Sequence, residues 1–221
     1  KNITPIRIGK LESPSLGSIG IKTDLNKIFG LNIWNNLTAK TAIKYLNHLP
    51  NQSSSKVYQK MLNDIYASTS EPPKGDMQEI INFVNVKLLK LSKNGQVETL
   101  LKIVDQLPDS KIWEKWKRWF VVYKLLNKED EKTCKKINNT KVNYNNIFWE
   151  KANLICLILQ DNFIDANFIF DVMTSQNLLD DHFKKLIDFI INEKSIEDLK
   201  IDENVTEPLN FVLLDILKYP I

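Results

Sequence analysis

Glycine stops at Gly95: all six glycines lie in the first 95 residues of this 221-residue chain. From Gln96 onward no glycine-rich phosphate loop is possible. Histidine is limited to His48 and His182, and cysteine to Cys134 and Cys156. That is a small supply for a zinc site, which normally takes its ligands from His and Cys. No His-Glu-x-x-His or Gly-x-Ser-x-Gly pattern occurs. A net charge of +3 gives no ground for a nucleic-acid partner. The most apolar run, 146–160, is broken by Glu150, Lys151 and Asn153. It is well short of the roughly 20 apolar residues a membrane-spanning helix needs, so no integral membrane segment is expected. A first residue of lysine rather than methionine fits a mature or trimmed product.

What is present is helical pattern. With 43% hydrophobic and 26% charged residues the chain can bury a core. Residues 1–36, rich in Pro, Gly and Ser, read as an extended arm that Phe29, Leu31, Ile33 and Trp34 dock onto a helical body spanning 37–221. A helix from Thr38 is stopped by Pro50. Ser53 or Ser54 caps a second, with Val57, Met61, Ile65 and Tyr66 inward. Asp76 and Glu79 form a capping box for a third, running to Lys93. Tight turns at Asn94, Asn127, Asp161 and Glu193 then follow at steps of 33, 34 and 32 residues, each joining a longer helix to a shorter one. That is the period of stacked helical hairpins of tetratricopeptide type, although the tetratricopeptide signature residues are missing. The expected fold is therefore all-α: an α-solenoid around the buried 146–160 helix, with Pro208–Lys218 covering its last apolar face.

Few residues suggest chemistry. His182 beside Asp180 and Asp181 reads as an ordinary helix start, and Glu129-Asp130-Glu131 as an acidic first turn. In Lys111–Phe120, Trp113, Trp116 and Trp119 step by three among basic residues. That step drifts about 60° per tryptophan, so two can be buried with the third at a boundary. Read as core, the tryptophans leave Lys115, Lys117 and Arg118 wet. Read as surface, Trp113, Trp116 and Arg118 are partner contacts. The cysteines fall on neighbouring helices, close enough for one bridge if their faces match; two free thiols are the alternative.

Leu16-Gly-Ser-Ile-Gly20, Phe29-Gly-Leu-Asn-Ile-Trp34, Thr69-Ser-Glu-Pro-Pro73 and Phe148-Trp-Glu-Lys-Ala-Asn-Leu-Ile-Cys156 resemble segments of an uncharacterised group of alphaproteobacterial secreted helical-repeat proteins, some labelled antifreeze proteins. The resemblance implies a periplasmic setting and, with it, a Cys134–Cys156 disulfide. It carries no catalytic residue and no cofactor. The function expected is a non-catalytic scaffold or adaptor that binds another protein. The rival expectation is an enzyme of envelope polymers, peptidoglycan or glycan, with Glu150 and His182 as acid and base.

Overall fold

A computed structural model describes residues 15–140, 144, 146–201 and 205–220. Among them the regular elements are eleven α-helices and short 3-10 turns, with no strand, so the chain is all-α. It divides into two compact units, Lys1–Leu107 and Pro108–Ile221. That boundary differs from the one drawn at 36/37.

In the first unit, α1 (Asp24–Phe29), α2 (Ala39–His48), α3 (Lys56–Ala67) and α5 (Val97–Gln106) are arranged about α4 (Met77–Lys93). The helices α2, α3 and α5, and the 3-10 turn Leu16–Ser18, all pack on α4. The Asp76/Glu79 capping box starts α4: the Glu79 N–H donates to Asp76 Oδ1 at 2.8 Å. Phe83 and Lys87 are buried on one flank of α4 while Ile81, Val84, Leu88 and Leu91 are buried on the other, so the helix is enclosed over most of its circumference.

Residues 15–36 are a wound segment rather than an extended arm. The 3-10 turn and α1 occupy it, and Ile21 exchanges backbone bonds with Ala67 O and Thr69 N at 2.9 Å each. Gly20 is required there: a Cβ would lie 2.6 Å from both Ala67 O and Thr69 N. Residues 1–14, the remainder of the expected arm, lie outside the described residues. Trp34 docks as expected, edge-on to Phe83 at 5.4 Å, and Ile33 is half-buried. Phe29 and Leu31 stay exposed. On α3 the expected inner row is largely outside. Leu62, Tyr66 and Ala67 are buried, while Val57 and Met61 face solvent. The helix carries two apolar rows, and the one that turned inward includes Tyr66, whose hydroxyl donates to Pro50 O at 3.0 Å.

The second unit runs from a 3-10 turn, Lys111–Trp113, into α6 (Glu114–Leu126), α7 (Asp130–Thr140), α8 (Ile147–Leu159), α9 (Phe163–Ser175), α10 (Asp181–Ile191) and α11 (Pro208–Ile216). The expected spine is α8, buried along most of its length and flanked by α7, α9 and α11. Beyond Glu193 only a 3-10 turn, Ile196–Asp198, forms where a helix was expected. The final helix does more than close an end. It packs on α6 and α8 as well as α10, whereas in an open stack each repeat touches only its neighbours.

Six helices, α4, α6 and α8 to α11, end in the same closure, with one residue in the left-handed region: Gly95, Lys128, Asp161, Asn177, Glu193 and Lys218. After α6, for example, the Lys128 N–H donates to Leu125 O and the Glu129 N–H to Lys124 O, each at 3.0 Å. Only the first of the six is glycine, the residue that adopts this conformation without a Cβ penalty. Lys128→Gly and Glu193→Gly, both at exposed positions, are each expected to raise stability by about 0.5–1 kcal/mol in urea titrations. A fall in stability would mean that the cost in chain entropy outweighs the relief of the left-handed backbone.

Candidate functional site

Where α6 begins, the chain builds a cleft of about 610 Å³ in the second unit. Its apolar wall comes from Ile112, Trp119, Val122, Ile147, Phe148 and Pro208, and its charges from Lys111, Glu114, Lys115, Arg118 and Glu207. The first turns of α6, α8 and α11 all contribute to the lining, and helix N-termini carry partial positive charge.

Aromatic packing fixes the geometry below the cleft. Tyr144 stacks on Trp149 at 5.0 Å, and its hydroxyl donates to Ser110 O at 3.0 Å. Burial, with Asp109 and Glu114 adding to it, pushes the Tyr144 phenol up to about 12. The Trp149 indole N–H donates to Glu114 Oε1 at 3.3 Å. The same oxygen accepts from Arg118 Nε at 3.1 Å and from its terminal nitrogen at 2.6 Å. Arg118 in turn lies 5.0 Å over the Phe148 ring. Glu114 is thereby neutralised, while Lys111 and Lys115 are exposed and form no ion pair among the described residues.

Of the residues offered as partner contacts, only Arg118 reaches the surface. Trp113 and Trp116 are 1% and 8% exposed and belong to the core; Trp119 sits at the boundary. The step of three carries the first two tryptophans inward and swings the third out. A partner at this cleft would therefore meet Ile112, Arg118 and Trp119.

Cys134 on α7 and Cys156 on α8 form a disulfide, with Cα atoms 5.5 Å apart and both residues buried. Glu150 is exposed, His182 half-buried, and neither lines the cleft. Asp180, read beside His182 as a helix start, accepts the Phe183 N–H as the N-cap of α10. Glu129 pairs with Lys124, and Glu131 with Lys135. Among the described residues no group of His, Cys, Asp and Glu is arranged to hold a metal ion.

The polar centre of this unit is a residue not singled out from the sequence. Lys151 is buried on α8, and its Nζ donates to Asp180 Oδ2 at 2.6 Å and Glu207 Oε2 at 2.8 Å. It also lies 4.8 Å over the Phe183 ring. One ammonium thus ties together the residues that begin α10 and α11. Burial works against the Asp180 carboxylate, but the Lys151 hydrogen bond, the Phe183 N–H and the Lys151 charge together hold it well below the usual carboxylate range. The available signal was a lysine inside an otherwise apolar run. Lys151→Met is expected to cost about 2 kcal/mol in chemical denaturation. Both carboxylates are about a third exposed, so water takes over part of the lost pairing. No loss would mean that packing alone holds α10 and α11.

Compared with family models, curated proteins and solved structures, the chain matches none.

Proposed function

We propose that the chain is a non-catalytic scaffold or adaptor that binds another protein, and that it works in the periplasm. The carrying observation is the Arg118 cleft, which pairs an apolar wall with a basic rim on the rigid first turns of three helices. Exposed apolar patches rimmed by polar groups are where proteins hold one another, and Trp and Arg are the side chains that most often dominate such contacts. The left-handed caps at residues 95, 128, 161 and 193, at steps of 33, 33 and 32, support descent from stacked hairpins of tetratricopeptide type. The buried Cys134–Cys156 bridge supports an oxidising compartment, and no described helix is long and apolar enough to cross a membrane.

The test is site-specific photocrosslinking in native envelopes, with the crosslinker at Ile112 or, as a control in the first unit, at Lys102. The reading expects a discrete adduct from position 112 that Arg118→Glu removes and that position 102 does not give. Equal adducts from both positions, or an adduct indifferent to Arg118→Glu, would refute it.

A further inference from the structure

Two apolar faces of opposite charge character are left open on this chain. The first is a groove of about 720 Å³ between α1, α2 and α3, walled by Phe29, Ile33, Trp34, Tyr45, Met61 and Ile65. Val57, 83% exposed, continues the Met61 row one turn earlier along α3, and Ile28 on α1 is 73% exposed. The Trp34 indole N–H is buried without an acceptor among the described residues. Charges on and beside these helices are mostly basic: Lys27, Lys44, Lys56 and Lys60 against Asp24 and Asp64. Asp24 is already shared by Lys27 and Lys60.

The second face is the outer side of α9. Its inner side buries Ala166 and Met173. On the outside, Ile164 and Phe168 are 85% and 70% exposed, and Val172 follows at the next i+4 position. Asp161, Asp165 and Asp171 flank this row, and no basic residue occurs from Asp161 to Ser175. A row of apolar side chains at i, i+4 and i+8 on an acidic helix is the form that docks into an apolar groove with a basic margin.

The geometry points to self-association in which α9 of one copy seats in the α1–α3 groove of a second copy. Each copy offers one groove and one helix, so the contact is heterologous and propagates into a ring or an open chain. Residues 1–14 are a poorer occupant, because Lys1, Arg7 and Lys10 outnumber Glu12 and would approach the lysines carried by the helices around the groove. The contact is independent of the Arg118 cleft.

The full chain tests this in sedimentation velocity at on the order of 10–100 µM, a range that reveals contacts of micromolar strength. Oligomers are expected at low salt and fewer of them as salt screens the charges. Phe168→Asp and Met61→Glu, both at exposed positions, should each keep the helical circular dichroism of the parent and weaken association by ~100-fold. Mixed together, the two variants retain one intact groove and one intact α9 between them, so they should form a 1:1 dimer that grows no further. Arg118→Glu should associate like the parent, which separates this contact from the partner cleft. A parent that stays monomeric overturns the proposal. If removing residues 1–14 then releases association, the groove belongs to that segment; if not, it belongs to a foreign partner. A variant mixture without a heterodimer also overturns it.

Discussion

Raising the pH from about 8 to about 10 is expected to stabilise the first unit, and Lys87→Met should abolish most of that gain. Lys87 is fully buried on α4 with no carboxylate partner among the described residues: its Nζ donates to Ser68 O at 2.9 Å and to Ile19 O at 3.2 Å. Burial pulls its pKa from 10.5 down to about 8. Between those values the unfolded chain holds a proton that the folded chain has released, so stability rises with pH. The whole window corresponds to about 3 kcal/mol. Burial also lowers the Lys90 pKa, which leaves the variant a smaller slope of the same sign. The Tyr66 phenol opposes both. Burial, with Tyr58 adding to it, pushes it from 10.0 up to about 12, so above pH 10 the folded state holds the extra proton and stability declines. The profile should therefore peak near pH 10. Hydrogen exchange of the α4 amides across this range, corrected for intrinsic rates, reads it directly. A flat parental profile from pH 8 to 10, or a slope undiminished in Lys87→Met, would show that water or local opening keeps Lys87 charged.

Removing the Cys134–Cys156 bridge as the Cys134→Ala/Cys156→Ala pair should cost the second unit about 3 kcal/mol, the closure entropy of a loop whose ends are 22 residues apart. The effect should be concentrated at α7. That helix is polar over most of its length, and besides Cys134 its only buried hydrophobic is Ile137. It has little else with which to hold α8. Four of the five tryptophans, Trp113, Trp116, Trp119 and Trp149, lie in the second unit, so urea unfolding followed by tryptophan fluorescence reports mainly on it. Exchange should rise in α7 and α8 and stay unchanged in α4. A loss below about 1 kcal/mol would mean that α7 is held by packing, and that the bridge serves something other than stability.

Much of the helical plan was legible because its signals are local. Asp76 and Glu79 announce the start of α4 by themselves, since a capping box needs only four consecutive residues. Asp180 and Pro208 do the same for α10 and α11. The turns near Asn94, Asn127, Asp161 and Glu193 were visible because each interrupts an apolar period. The bridge was only half legible: two cysteines on neighbouring helices allowed a bond, but which faces they occupy is settled by packing.

Three features stayed hidden until the helices were assembled. On α3 the row Val57–Met61 and the row Leu62–Tyr66 are both apolar, and no local rule says which one turns inward. At the start of the second unit, Trp113 on the 3-10 turn and Trp116 and Arg118 on α6 could not be sorted into core and surface until neighbouring helices had covered the first two. Lys87 carries no local mark in the sequence and Lys151 reads only as an interruption of an apolar run, yet one satisfies carbonyl groups from distant segments and the other joins the residues that begin two later helices. By itself the sequence determined most of the helix boundaries and that the helices are amphipathic, because capping, turning and period are contests among residues a few positions apart. Only the tertiary structure decided which apolar face was buried and what each buried ammonium met, because those outcomes depend on groups brought together from far along the chain.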